Sequence, residues 1–355
     1  MKLMDLLISA LKNGASDLHL TVGTSPALRI NGKLTRAIVN GYIHPPLTPE
    51  DTLNAVKTIM TTEQYQNWLQ KGEIDFSYSI PGVGRFRVNA YRQRGCASLA
   101  IRTVPYQIPS LESLKLPPSV TSLIDKPQGL VLVTGPAGSG KSTTLAAIID
   151  KINRERAAHI VTIEDPIEYL HQHQKSLVDQ RELGIDTFSM AGALRASLRQ
   201  DPDIILVSEL RDLETISIAI TAAETGHLVF GALYTSGAVQ TIDRIIDIFP
   251  PGQHEQIKVQ LSTTLQGIIS QQILSRADGS GMVLAAEILV TTPAVRNLIR
   301  EGKINQLAMV MQTGSRWGMQ TMDMALRDLV RAGEITTESA LKFVADQDSF
   351  MRSVQ

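Results

Sequence analysis

The sequence holds a single cysteine, Cys96, among 355 residues. One thiol excludes a disulfide framework and a cysteine-rich zinc site. No apolar run approaches the ~20 residues that a membrane-spanning helix needs, and the N-terminus has an acid at Asp5 and no long apolar stretch that would predict a secretion signal. The sequence also has no excess of one charge, since it contains 34 basic and 35 acidic side chains. This balance argues against a nucleic-acid coat. These absences predict a soluble protein of a reducing compartment, the cytoplasm.

The length predicts about two domains, at ~150 residues each. Residues 1–106 have the pattern of a small α+β domain. Alternating polarity predicts strands at 17–20 and 27–30, followed by a turn at Asn31-Gly32. A Thr-Pro-Glu start predicts a helix from Thr48 toward Gln70. A hairpin of 75–80 and 85–94 is predicted next, joined by a Pro81-Gly82-Val83-Gly84 turn.

The last of these strands carries a row of arginines. Arg85 and Arg87 share one of its faces, whereas Phe86 and Val88 share the other, because successive strand residues point to opposite sides. Such a row is either a solvated surface or a charged surface for an anionic ligand.

A different pattern begins after a proline cluster at Pro105, Pro109, Pro117 and Pro118. The cluster is typical of a linker, which we assign to residues 107–118. In residues 119–355, apolar runs at 130–134, 160–163, 203–207 and 227–233 alternate with helical segments. This alternation predicts an α/β domain with a mainly parallel sheet that is covered on both faces.

One motif carries the chemistry most directly. Residues 135–142 (GPAGSGKS) match the P-loop pattern G-x-x-x-x-G-K-[ST] between a predicted strand and a predicted helix. Glycines let backbone N–H groups turn toward phosphate oxygens, and the helix N-terminus adds its positive dipole end. We expect Lys141 to neutralise the β/γ-phosphates and Ser142 to ligate Mg²⁺. The cofactors predicted are therefore ATP and Mg²⁺, with nucleotide contacts from Gly135, Pro136, Ala137, Gly138, Ser139, Gly140, Lys141, Ser142 and Thr143.

Acidic residues end two of the predicted strands, Glu164 with Asp165 after the second and Glu209 after the third. Carboxylates at the carboxyl ends of parallel strands lie in the crevice where α/β sheets bind ligands. One acid can hold Mg²⁺ and another can activate water. The alternative is that such acids only cap the following helix. An Asp that precedes a proline, as Asp165 does, is typical of this role.

Histidines are candidates as well. His227 precedes the fourth predicted strand and Tyr234 follows it, and we expect His227 to contact the γ-phosphate, with a structural histidine as the alternative. The His171-x-His173 pair has no third ligand at standard spacing, so a solvated loop is favoured over a metal site.

Five motifs together resemble those of the bacterial secretion ATPases of the type II secretion and type IV pilus superfamily. The resemblance starts at 15–19 and covers nearly the whole chain. Its motifs in the first part of the ATPase region are a Walker A motif at 135–144 (GPAGSGKSTT) and an Asp box at 163–169 (IEDPIEY). They are followed by a Walker B motif at 198–203 and 209–212 (LRQDPD, ELRD), a His box opening at 221–227 (TAAETGH), and the C-terminal motif of the retraction branch at 294–303 (AVRNLIREGK).

The resemblance implies a PAS-like N-terminal domain, a RecA-like P-loop ATPase domain and a ring-shaped homohexamer with nucleotide between protomers. By motif position, Glu164 is the catalytic carboxylate, Glu209 is the Walker B acid that holds Mg²⁺ with Ser142, and Lys141 completes the catalytic set. Arg85 and Arg87 would then face a neighbour's phosphates.

The activity that the resemblance implies is a Mg-dependent ATPase motor that powers type IV pilus retraction, and with it twitching motility. Such a motor lies in the cytoplasm at the inner face of the cytoplasmic membrane, where an inner-membrane pilus platform protein binds it. Three alternatives stay open: a pilus assembly or type II secretion ATPase, which is usually longer and carries four cysteines; a DNA-translocating motor, which the near-zero net charge disfavours; and a nucleotide-binding scaffold without activity. No direct contact with nucleic acid is expected.

Three positions depart from the family pattern. Ala137 stands for the usual threonine of the P-loop, Ser208 for the glycine before the Walker B acid, and Tyr234 for the second histidine of the His box. A tyrosine hydroxyl donates only a neutral hydrogen bond, which is weaker than one from a protonated imidazole. The third departure therefore changes the predicted γ-phosphate sensor.

Overall fold

The computed structural model describes residues 2–30, 32–39, 41–80, 82–104, 107–344 and 346–354. The chain divides into two compact units, Met1–Gln107 with Glu168–Leu170 and Ile108–Ile167 with His171–Gln355, and each is described by itself. Asn31 and Pro81 of the predicted turns, and Pro105 of the predicted linker, lie outside the described residues. The domain limits derived from the sequence stay predictions.

The first unit is α+β. Its antiparallel sheet has the order β3-β2-β1-β8-β7-β6, beside a β4-β5 ribbon. The elements are α1 (Leu3–Lys12), β1 (Asp17–Leu20), β2 (Ala27–Ile30), β3 (Lys33–Arg36), β4 (Ile38–Val39), β5 (Tyr42–Ile43), α2 (Pro49–Ile59), α3 (Thr62–Lys71), β6 (Glu73–Ile80), β7 (Gly84–Gln93) and β8 (Cys96–Val104).

The single helix predicted from Thr48 toward Gln70 is wrong, because the structure has two helices there. Thr48 caps the first, and Thr61 caps the second by accepting a hydrogen bond from the Gln64 backbone N–H while the Gln64 side chain accepts one from the Thr61 N–H. Such a capping box gives the second helix its own start, with Thr61 in an extended conformation. The apolar spacing continues across the break, which is why it predicted one helix.

The predicted alternation on β7 is confirmed. Phe86 and Val88 are fully buried, whereas Arg85 is half-buried and Arg87 is exposed. The arginine side of the strand thus forms a surface of the first unit and its apolar side forms the core.

The second unit is built on a seven-stranded sheet of order β11-β10-β12-β13-β9-β14-β15. Its strands are β9 (Gly129–Thr134), β10 (His159–Glu164), β11 (Leu177–Glu182), β12 (Ile204–Val207), β13 (Leu228–Leu233), β14 (Leu265–Ser275) and β15 (Met282–Val290). Its helices are α4 (Ser119–Ile124), α5 (Lys141–Glu155), α6 (Met190–Ser197), α7 (Leu213–Glu224), α8 (Ala238–Asp247), α9 (His254–Thr264), α10 (Pro293–Arg300), α11 (Leu307–Thr313), α12 (Met322–Arg331), α13 (Thr337–Leu341) and α14 (Gln347–Val354).

This sheet is covered on both faces, as the sequence predicted. Leu130 and Leu132 of β9 pack into one apolar cluster with residues of α6 to α11, while Val131 and Val133 pack into another with residues of α4 and α5. All strand pairs from β11 to β14 are parallel, and β15 joins the edge antiparallel to β14. The predicted α/β class is therefore confirmed.

A half-buried carboxylate joins two helices of the second unit. Glu287 on β15 accepts hydrogen bonds from the backbone N–H of Ala238 at 2.7 Å and of Met322 at 3.3 Å, the first residues of α8 and α12. Burial raises the pKa of Glu287 above its ordinary value, although the two N–H donors act the other way. Unpaired N–H groups at helix starts attract such an acceptor.

Among the described residues, no helix combines the length and the apolar composition that crossing a bilayer requires.

Candidate active site

Four parallel strands bring the predicted site residues to one edge of the large sheet. In spatial order these are β10, β12, β13 and β9. Glu164 is the last residue of β10, Glu209 lies two residues beyond β12, Tyr234 follows β13, and the P-loop follows β9. The carboxyl ends of parallel strands form the crevice in which α/β proteins bind ligands.

The P-loop requires its glycines. Gly135, Gly138 and Gly140 have φ angles of 144°, 78° and 86°, a region that other residues rarely adopt. A Cβ atom on Gly135 would also lie 2.5 Å from the Gln271 carbonyl oxygen. The loop then enters α5 at Lys141, with Gly140 as its N-cap, and the start of a helix directs its positive dipole end to an anion.

Lys141 is buried at the start of α5, with 7% of its surface exposed. Its Nζ donates to the carbonyl oxygens of Gly135 at 2.9 Å and Pro136 at 2.8 Å. Within the described part of the chain, the buried hydroxyls of Ser139 and Thr134 have no hydrogen-bond partner. Buried polar atoms are nearly always hydrogen-bonded in proteins, so these two hydroxyls fit a polar ligand held by the loop.

The remaining P-loop residues are accessible. Ser142 is exposed in the first turn of α5, Thr143 beside it is half-buried, and Pro136, Ala137 and Gly138 are exposed at the top of the loop. A hydroxyl at this position of the first turn fits a divalent cation bound to the same phosphates.

Glu164 is fixed in one orientation at the end of β10. Its side chain is buried, and its Oε1 accepts hydrogen bonds from the Thr162 hydroxyl at 2.6 Å and from Gln180 Nε2 at 2.9 Å. Gln180 is held in turn, since its own Oε1 accepts from the His171 backbone N–H at 2.8 Å. A carboxylate with two donors on the same oxygen is oriented before any reaction begins.

Glu209 forms an ion pair with Arg211, and this contact raises the pKa of the guanidinium above its ordinary value. The nearby Ser208 hydroxyl accepts a hydrogen bond from the Asp165 backbone N–H at 3.2 Å. Ser208, one of the three departures from the family pattern, thus links the end of β12 to the residue after Glu164.

His227 does not reach this edge within its own chain. Its backbone carbonyl accepts a hydrogen bond from the N–H of Gly129, the first residue of β9, and its Nδ1 lies 3.0 Å from the Ala222 carbonyl oxygen. The P-loop follows the other end of β9, about 20 Å away at ~3.3 Å per strand residue. The structure therefore does not bring His227 to the P-loop of its own chain, and the γ-phosphate contact expected for it stays a prediction.

Arg85 and Arg87 lie on the small sheet of the first unit. Arg85 donates to the Ser79 hydroxyl at 3.0 Å, and Arg87 pairs in register with Ser77 and Arg102. Among the residues that the structure describes, no carboxylate forms an ion pair with Arg87, so its charge is available to an anion from outside the unit.

The sequence patterns missed three side chains of the site. Thr162 and Gln180 orient Glu164, and Arg211 pairs with Glu209. Arg211 belongs to a motif that was recognised, but Gln180 lies on a strand that no pattern indicated. Only the pairing of β10 with β11 places it beside Glu164.

A covered parallel sheet with a P-loop at its edge and acids on the neighbouring strands defines a P-loop nucleoside triphosphatase. The sequence model of the type II/IV secretion system proteins matches residues 1–297. The chain belongs to this family.

Relatives place the chain within the family. It is 50% identical over 325 residues to a twitching motility protein of Neisseria gonorrhoeae, covering 92% of this chain and 86% of the relative. It is 48% identical over 340 residues to the type IV pilus retraction ATPase PilT of Pseudomonas aeruginosa, covering 96% and 97%. A crystal structure of the pilus retraction motor PilT with bound ADP has a TM-score of 0.91, with 48% identity and 99% of both chains covered. The resemblance seen in the motifs is confirmed, and the chain is an ATPase of the PilT type.

Proposed function

We propose that this chain is a hexameric ATPase motor that powers the retraction of a type IV pilus. The observation that carries the proposal is the meeting of the P-loop, Glu164 and Glu209 at one edge of the sheet. This arrangement supports ATP hydrolysis, and the close similarity to twitching motility proteins over nearly the whole chain supports the pilus as the load.

The P-loop binds the polyphosphate in this proposal. The N–H groups of its glycine turns and of the first turn of α5 point to phosphate oxygens, and Lys141 supplies a positive charge at the γ-phosphate. For Lys141 to bind a phosphate oxygen, its ammonium exchanges at least one of its two carbonyl partners, Gly135 and Pro136, for that oxygen.

Ser142 and Glu209 are the residues that would hold Mg²⁺, which neutralises charge on the β- and γ-phosphates when it is bound. The fit rests on the exposed Ser142 hydroxyl in the first helical turn and on the carboxylate of Glu209, because oxygen ligands suit this cation. Arg211 now neutralises that carboxylate. For Glu209 to bind Mg²⁺, its carboxylate exchanges Arg211 for the cation.

Glu164 is the proposed general base. A water that attacks the γ-phosphorus gives one proton to the carboxylate as the new P–O bond forms and the bond to the bridging oxygen of ADP breaks. Two donors hold Oε1 of Glu164, so the orientation of the whole carboxylate is set in advance. Positioning and proton acceptance of this kind contribute about 10²- to 10⁴-fold to a rate.

The ring and its surroundings belong to the same proposal. Arg85 and Arg87 would contact the nucleotide of a neighbouring protomer, and the motor would work on the cytoplasmic face of the inner membrane. Its partner there would be a membrane protein of the pilus base, which the ATP-driven movements of the ring would turn or pull.

Two inactive variants should restore each other if Arg87 acts on a neighbour's nucleotide. Arg87→Ala and Lys141→Ala are each expected to be nearly inactive alone. When they are mixed at equal amounts and reassembled, about a quarter of the interfaces should combine an intact P-loop with an intact Arg87, as random assembly of a cyclic oligomer gives. Steady-state ATPase activity checks this, with Arg36→Ala, an exposed arginine of the same unit, as the matched control. Absence of any recovery in mixed rings would contradict a contact between protomers.

Expression in a Pseudomonas aeruginosa strain without its own retraction ATPase tests the whole function. We expect the wild-type chain to restore twitching on agar and Lys141→Ala not to restore it at equal protein level. Purified protein should show the same ATPase rate with and without duplex DNA. Stimulation of the ATPase by DNA, together with no twitching, would support the DNA-translocating alternative instead.

A further inference from the structure

Tyr234 lies directly against the P-loop lysine. The centre of its ring is 4.0 Å from Lys141 Nζ, well inside the ~6 Å range of cation–π attraction. Tyr234 follows β13, the strand next to β9, so both side chains start from neighbouring strand ends. The ammonium thus contacts an aromatic ring and two carbonyl oxygens of the loop.

Tyr234 is far more accessible to solvent than the lysine that its ring contacts. Tyr234 is 55% exposed, whereas Lys141 is only 7% exposed. Solvent-facing atoms at this edge of the sheet are those that a ligand in the crevice meets first. A phosphate oxygen approaching Nζ to the 2.7–2.9 Å of a charge-assisted hydrogen bond therefore competes with the ring for the same ammonium.

Tyr234 also lies near the second half of the site. Its phenol adds to the raised pKa of Arg211, after the larger contribution of Glu209, with which Arg211 forms an ion pair. Rotation of Tyr234 away from Lys141 would therefore also change the surroundings of Arg211.

We propose that Tyr234 is a positioning residue that covers Lys141, and that a phosphate oxygen of ATP displaces its ring from the ammonium. The inference rests on the proposed ATP site and not on the pilus as load. Because binding includes the loss of the cation–π contact, the ring lowers the apparent affinity for ATP. The ring is displaced from Lys141 both in the enzyme–ATP complex and in the transition state. Removing the ring therefore changes KM and leaves kcat nearly unchanged.

Tyr234→Leu tests this directly, because leucine keeps apolar bulk and has no π-face. Its Kd for the non-hydrolysable analogue AMP-PNP, measured by titration calorimetry with Mg²⁺, should fall about threefold to tenfold, which is the range of one cation–π contact. The KM for ATP should fall by a similar factor. Tyr234→Phe keeps the ring and should return to the wild-type Kd. Tyr42→Leu, the same change at an exposed tyrosine of the first unit, is the matched control.

Other outcomes decide against the proposal. An unchanged or weaker affinity in Tyr234→Leu, with an unchanged melting temperature, means that the ring does not compete with phosphate. Tyr234→Phe behaving like Tyr234→Leu would assign the effect to the phenol hydroxyl and overturn the role of the ring at Lys141. Lys141→Ala, titrated in parallel, separates a failure of the proposed ATP site from a failure of the role of Tyr234. Wild-type AMP-PNP affinity in Lys141→Ala would overturn the ATP site itself, and the inference with it.

Discussion

Lys141→Ala is expected to lower ATP turnover by about 10² to 10³ or more, while the protein stays folded. Lys141 is the cation of the P-loop, and removing one preorganised group that stabilises transition-state charge costs about 3–4 kcal/mol in enzymes of known mechanism. The alanine also leaves the carbonyl oxygens of Gly135 and Pro136 without the donor that they share now. A coupled assay of phosphate release measures the loss, and circular dichroism with thermal melting checks the fold.

The matched control is Lys151→Ala, the same substitution on the same helix. Lys151 pairs with Glu155 at 2.8 Å and Glu112 at 3.2 Å, contacts that contribute little at an exposed helix surface. Its turnover should stay within about twofold of wild type. If Lys141→Ala hydrolysed ATP as fast as the Lys151 variant, the P-loop would not be the catalytic site.

Glu164→Gln is expected to bind ATP normally and to hydrolyse it at least about a hundredfold more slowly, the scale of a lost general base. Glutamine has nearly the same shape, and its carbonyl oxygen still accepts the hydrogen bonds from Thr162 and Gln180. What is lost is the basic carboxylate. Single-turnover kinetics separate the slowed step from nucleotide binding, which a parallel AMP-PNP titration measures.

Two neighbouring variants sharpen the assignment. Valine is close to threonine in volume, and Thr162→Val removes one donor to Glu164 Oε1. The kcat should fall about tenfold, as for the loss of one hydrogen bond to a charged group, and Thr162→Ser should restore it.

Glu209→Gln should instead make the rate depend strongly on Mg²⁺ concentration. Normal turnover in Glu164→Gln with none in Glu209→Gln would mean that the two roles are exchanged.

The sequence predicted the parts of the site that depend on local pattern. The P-loop needs glycines at positive φ followed by a helix start, and both are readable from consecutive residues. Glu164 and Glu209 were predicted as site residues because an apolar strand run ends shortly before each of them. These features sit at one edge of the sheet because their strands are parallel, which the alternation of strands and helices had indicated.

The missing parts depend on contacts distant in sequence. β14 carries polar residues such as Gln271 and Gln272 within its apolar run, so no strand was predicted there, although it pairs with β9. Gln180 reaches Glu164 only through the pairing of β10 with β11. The contact expected between His227 and a γ-phosphate stays a prediction. Within its own chain this residue lies at the amino end of a predicted strand, and strand direction decides which edge of the sheet a residue occupies.

The carboxylate of Glu287 determines how far this ATPase domain can be shortened. A chain cut at residue 300 would keep every strand of the large sheet but lose Met322, whose N–H is one of the two donors to Glu287. The loss falls on the group that also holds the start of α8, a few residues beyond Tyr234, and a hydrogen bond to a charged group contributes about 1.5–3 kcal/mol. We therefore expect a chain cut at residue 300 to be less stable and its α8 less ordered than in a chain that keeps α12.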